Sequence, residues 1–131
     1  ADSLEDLSSY LIDNGFVGLD NDIFIEYAPN DVDEFIAIFE YDNGGFDRKK
    51  DSITRKIQLN VYGKSALSVR NKANQIFTKL SGHKSKEWVI DYKPSRFFIF
   101  NMLGTPFKLK KDTKDRFVYT FNMQMTTNNN F

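Results

Sequence analysis

Few residues in this sequence have the types and spacing to do chemistry. His83 is the single histidine, and there is no cysteine. That removes disulfides, thiolate metal sites, cysteine nucleophiles and multi-histidine centres, and leaves a histidine-dependent acid–base pair as the one open catalytic option. His83 stands just past a helix end beside Lys84 and Lys86, and no serine or acid is placed by spacing to complete a set with it. Two acidic groups, Asp20/Asp22 and Asp31/Asp33/Glu34, supply the hard oxygen donors that calcium or magnesium prefers. They lack the glycine and the distal glutamate of a calcium loop, and they read as solvated turn acids. Gly44-Gly45 leads into polar chain instead of a helix, so it builds no phosphate cradle, and neither HExxH nor GxSxG occurs. The sequence therefore points to no enzyme, no metal, no cofactor and no small-molecule substrate.

Nucleic acid is the remaining chemical partner to weigh. Lys108, Lys110, Lys111, Lys114 and Arg116 gather around one hairpin tip close to Phe117 and Tyr119. Basic residues interleaved with aromatics can follow phosphates and stack bases. The stretch Arg116–Phe121 also has the ending of an RNA-recognition strand, without its glycine-bearing start. The favoured reading is structural: the aromatics alternate into a core while the lysines solvate a turn.

The elements that must position these residues follow from periodicity. Leu4, Leu7 and Leu11 lie at helical spacing, with acids in the first turn, Ser3 as a cap and Gly15 as a left-handed stop. A short strand is expected at Ile23–Tyr27, ended by Pro29-Asn30. Phe35–Tyr41 carries bulky residues on both faces, the signature of a strand covered on both sides. The polar run from Asp42 to Asp51 reads as a mobile connection. In the next strand, Ile53, Arg55, Ile57, Leu59 and Val61 face one way, and Lys56, Gln58, Asn60 and Tyr62 face water. Ser65 caps a second helix whose stripe is Ala66, Val69, Ala73, Ile76, Phe77 and Leu80, with Gly82 beyond its end. A strand near Trp88–Tyr92 and an aromatic run at Arg96–Met102 follow. A hairpin then pairs Phe107–Leu109 with Phe117–Met125 across Lys110–Asp115, and residues 126–131 read as a frayed tail. The whole is one α+β domain, 1–131, with a largely antiparallel (mixed) β-sheet packed by two α-helices in the order α-β-β-β-α-β-β-β.

Composition agrees with a single compact domain of 131 residues, and the thirteen Phe, six Tyr and one Trp favour a sheet-rich core. No apolar run approaches the roughly 20 residues needed to cross a bilayer, and the absence of cysteine suits a reducing cytosol. Lys+Arg and Asp+Glu are 18 each, so the net charge is zero. That zero is a sum of opposites. Residues 1–47 hold 13 acids and no base, whereas residues 48–131 hold 18 bases and 5 acids.

Three stretches together resemble the tail terminator and minor capsid proteins of long-tailed bacteriophages. The first is the acidic, Pro29-containing lead into Phe35–Tyr41, closed by Gly44-Gly45. The second is the strand Ile57–Tyr62 and Gly63 running into the helix Ser65–Leu80. The third is Pro106-Phe107-Lys108-Leu109 with Asp112, followed by the closing strand Arg116–Met123. Lys110-Lys111 stands where such proteins often carry glycine, and the 42–52 loop is more basic than is usual among them; both departures fall in loops. The resemblance implies a virion structural protein, made in the host cytoplasm and placed at the head-proximal end of the tail. There it would form a ring, usually of six copies, that stops tube growth and offers a surface for the filled head. Its implied partners are itself, the major tail tube protein and the head–tail connector, with no membrane. The alternatives are another head–tail joining (connector) protein, or a small nucleic-acid-binding domain using the basic 108–116 hairpin.

The charge split has a physical use in such a ring. Heterologous contacts join one patch to a different patch on the next copy, and opposite potentials steer that pairing. The expected contact residues are the acids Asp31, Asp33 and Glu34, with Arg48, Lys49 and Lys50 in the loop and Lys108, Lys110, Lys111 and Arg116 around the hairpin. The competing expectation is that strands from the two halves neighbour one another and cancel charge within each copy.

Overall fold

The computed structural model describes residues 3–16, 23–47, 52–81, 87–91 and 97–128. Helix α1 spans Ser3–Asp13 and buries Leu4, Leu7, Tyr10 and Leu11. It stops where the spacing predicts: Gly15 has φ +75°, its N–H donates to Ile12 O, and Phe16 N–H donates to Leu11 O. This is the paired-carbonyl stop that a left-handed residue permits. Ser3, expected as the cap, is the first helical residue.

Strand β1, Ile23–Ile25, is shorter than expected because Glu26 takes φ +68°, a left-handed conformation that ends extended pairing. The Glu26 carboxylate accepts the Glu40 N–H at 2.6 Å, so the turn is held to the neighbouring strand. Strand β2, Phe35–Asp47, runs well beyond Tyr41. The polar residues 42–47 are not a mobile connection. They pair with β3, Ser52–Gly63, and two register shifts, at Glu40/Asp42 and Asn43/Gly45, absorb the Gly-containing segment.

Ser65 caps helix α2, Ala66–Ser81, through its Oγ, which accepts the Ser68 N–H. Val69, Ala73, Ile76 and Leu80 form its buried stripe, Phe77 packs against the core, and Ala66 is exposed. Gly63 lets β3 approach this helix: a Cβ there would lie 2.7 Å from Val69 Cγ2. The chain continues through β4 (Glu87–Asp91), β5 (Phe97–Met102), β6 (Phe107–Leu109) and β7 (Phe117–Asn128). The expected frayed tail is corrected over 126–128, which pair with β3. Thr127 is fully buried, and the Thr126 and Thr54 hydroxyls are hydrogen-bonded at 2.8 Å.

The main path of the sheet is β1-β2-β3-β7-β5-β4, with β6 paired to β7 off that path. Only β1–β2 is parallel. This is the expected mixed, largely antiparallel α+β fold, its elements in the expected chain order but with four strands after α2. One face carries Ile36, Ile38, Ile57, Leu59, Val61, Phe98, Phe100, Phe121, Met123 and Met125, packed against both helices. The opposite face carries Phe35, Ala37, Asn60, Tyr62, Val118 and Thr120. Expected to be wet along β3, it buries Asn60 to 5% exposure, because a corner of it is roofed by two loops.

Candidate functional site

The roof is built on Arg116. Its guanidinium is ion-paired with the Asp112 carboxylate at 2.7 Å, and Nη1 donates to the carbonyls of Pro29 and Val32 at 2.7 and 2.6 Å. The same guanidinium lies 4.8 Å from the Phe35 ring centroid and 5.2 Å from that of Tyr62, two rings stacked at 4.3 Å. Arginine suits such a place because its planar fork binds oxygen on its edge and an aromatic on its face. Burial alone would raise the Asp112 carboxyl. Hydrogen bonds from the Arg116 side chain and from the N–H groups of Arg116 and Lys114, together with the Arg116 charge, outweigh it and hold the group below its ordinary value.

This clamp joins the acidic loop 26–34 to the basic hairpin turn 110–116, so most of the residues expected to meet partners converge on one end of the sheet. Asp31, Asp33 and Glu34 are exposed on the loop. Lys108, Lys110 and Lys111 are exposed on the hairpin; Lys111 reaches Asp115 at 3.2 Å and lies 4.4 Å from the Phe117 ring centroid. Arg116 itself is 3% exposed, so it belongs to the fold and not to an accessible contact surface, a correction to its expected role. Arg48, Lys49 and Lys50 lie outside the described residues, as do His83, Asp20 and Asp22.

Sequence reasoning missed three contributors. Lys64 donates to the Lys114 carbonyl at 2.9 Å, which adds a cation to the same end. Phe107 and Leu109 are 48% and 37% exposed on β6 instead of packing inward. Strict alternation opposite β7 was the available signal. Phe107 and Leu109 pair with Thr120 and Val118, which lie on the face away from the helices.

The two aromatics expected beside the hairpin lysines are turned inward. Phe117 and Tyr119 pack against the core, and Phe121 is fully buried. The two sequence halves also interleave at the sheet centre, where Arg55 of β3 meets Glu40 of β2 at 2.7 Å. Of the exposed charges, Glu26 directly follows β1, Lys108 lies on β6, and Asp31, Asp33 and Glu34 sit on the loop that Arg116 ties to the hairpin turn. Among the described residues no three His, Asp or Glu side chains gather as metal ligands, and no helix is long and apolar enough to cross a membrane.

The geometry defines an α+β domain whose accessible features, among the described residues, are unpaired strand edges and charge of both signs. The sequence places it more narrowly: residues 10–129 match the family described as bacteriophage tail terminator protein, and the chain belongs to that family. It is a family of structural, not catalytic, phage tail components. No curated protein matches the chain.

Proposed function

We propose that this chain caps the head-proximal end of the tail tube as a ring of its own copies, hexameric as the family resemblance implies. In that position it stops addition of the major tail tube protein and presents a surface to the head–tail connector. The observation that carries the reading is the family match over residues 10–129. Two unlike strand edges support it: β1 and β6 have no further strand beside them among the described residues, and unlike edges suit the head-to-tail contacts that a ring requires.

Electron microscopy of particles assembled without this chain tests the reading. Overlong tails without heads are expected. Tails of normal length that carry heads would remove it.

A further inference from the structure

We propose that neighbouring copies join by antiparallel pairing of the β6 edge of one copy with the β1 edge of the next, so that the sheet continues between subunits. The inference rests on the ring reading above and names the contact that would build the ring.

The strand registers carry the argument. Ile23 of β1 is level with Ile36, Val61, Tyr119 and Lys108, and Phe24 is level with Ala37, Asn60, Thr120 and Phe107. At this height the sheet is therefore five strands wide, β1-β2-β3-β7-β6, with a three-residue strand at each edge. Neither edge has a further strand beside it among the described residues. Lower in the sheet, at Phe100, Met125, Arg55 and Asn43, the band is β2-β3-β7-β5-β4, again five strands wide but displaced by one position. The outline is thus stepped. One side recedes below β1 by the strand position that the other side gains below β6. A second copy moved sideways by five strand positions fits its step into this one.

Direction and chemistry agree with that fit. β1 runs parallel to β2, and each later pairing in the band is antiparallel, so β6 opposes β1. The new ladder is then antiparallel, the more stable arrangement. Phe24 and Phe107 both lie on the face away from the helices, which brings two aromatics together across the joint. Lys108 is exposed on β6 itself, a charge that guards this edge in a free copy. Two β6 edges meeting would set Lys108 against Lys108, so the contact is heterologous and propagates. The exposure of Phe107, and the shortness of both strands in a free copy, are what a guarded edge looks like before pairing.

The chain has no cysteine, so an engineered pair reports the contact cleanly. Phe24→Cys combined with Phe107→Cys is oxidised in assembled tails and in the concentrated purified chain, then run without reductant. A ladder of multimers from the double variant, with neither single variant cross-linking, is expected. Monomer bands from a double variant that microscopy shows seated on tails would overturn the edge pairing and leave the terminator reading standing. Dimers from Phe107→Cys alone would overturn it too, since like edges would then meet. A chain never found on tails defeats the terminator reading, and the bands from the purified chain then decide the pairing alone. Should Phe24→Cys fail to fold, Ile23→Cys with Lys108→Cys, the level pair one position away, replaces it with the same ladder expected. Monomer bands from that pair on tail-seated protein would overturn the pairing.

Discussion

Arg116 Nη1 donates to the Val32 carbonyl across 2.6 Å, joining residues 84 positions apart in the chain. Through this contact the loop that leads into β2 and the turn that leads into β7 are set by one side chain. The acidic loop and the basic turn are therefore positioned together.

Removing that side chain leaves two carbonyls and Asp112 Oδ2 without their donor, while Asp112 Oδ1 keeps the N–H groups of Lys114 and Arg116. Arg116→Ala is expected to cost about 3 kcal/mol, the usual scale for breaking a buried pair by deleting one partner. Arg116→Lys keeps the charge but loses the fork and the face stacked on Phe35 and Tyr62, and about 1–2 kcal/mol is expected. Equilibrium denaturation in urea measures both. A loss under about 0.5 kcal/mol for the alanine variant, within the range of ordinary surface changes, would show that the loops do not depend on the clamp.

The clamp also makes stability depend on acid. The Asp112 carboxyl is held below its ordinary value in the folded chain, so it binds a proton less readily folded than unfolded. Its contribution is fully present above the unfolded value, 3.8, and is lost as pH falls through the folded one. Melting temperatures of the native chain and of Asp112→Asn should differ by a constant amount at neutral pH and converge below pH of about 4. A gap that is unchanged into strong acid would mean that the carboxylate charge adds nothing.

Gly63 sits where β3 meets α2, and a Cβ there would press on Val69 Cγ2 at 2.7 Å. Valine in a helix has essentially one rotamer and cannot turn aside. Gly63→Ala is expected to destabilise by about 1–3 kcal/mol, the range for overpacking. If the contact is the cause, adding Val69→Ala should cost less in the Gly63→Ala background than in the native one. Strict additivity in a thermal double-mutant cycle would refute the steric account.

Thr120 is fully buried with an unpartnered Oγ1, directly across the sheet from Asn60, whose Oδ1 is also unpartnered. A hydroxyl without a partner gains nothing to offset its lost hydration. Thr120→Val keeps the shape and removes that group, so stability should hold or rise by about 1 kcal/mol. Destabilisation of that size on calorimetry would reveal a hydrogen bond that the static arrangement hides.

The sequence made the core-facing residues legible wherever one face was simply apolar. Leu4, Leu7 and Leu11, the α2 stripe from Val69 to Leu80, and Ile57, Leu59 and Val61 all pack as their spacing predicts. It was less informative where a distant segment supplied the environment. Asn60 and Tyr62 read as solvent-facing because nothing local shows that Arg116 and residues 29–32 roof them. Residues 42–47 read as a loop because their polarity is local, whereas the β3 ladder that holds them is a property of the pairing. Arg116 read as a contact residue for the same reason: its type signals charge, and only the fold shows that the charge is already used. The edge position of β6, and with it the exposure of Phe107, depends on where β5 leaves β7, which periodicity does not encode.

Salt separates the two uses of charge in this chain. The Arg116 clamp is 3% exposed at its arginine, and buried pairs are screened weakly. Lys108, Lys110, Asp31, Asp33 and Glu34 are exposed, and the attraction they would give a neighbouring copy falls as the screening length drops from about 10 Å at 0.1 M to about 3 Å at 1 M. Raising salt should therefore reduce the fraction of capped tails while leaving the urea midpoint of the single chain nearly fixed. Counting capped tube ends by microscopy across a salt series, beside denaturation of the free chain in the same buffers, measures both. Capping that is indifferent to salt would assign the joint to its apolar and backbone contacts, Phe24, Phe107 and the strand ladder, with the lysines and acids left as solubilising charge.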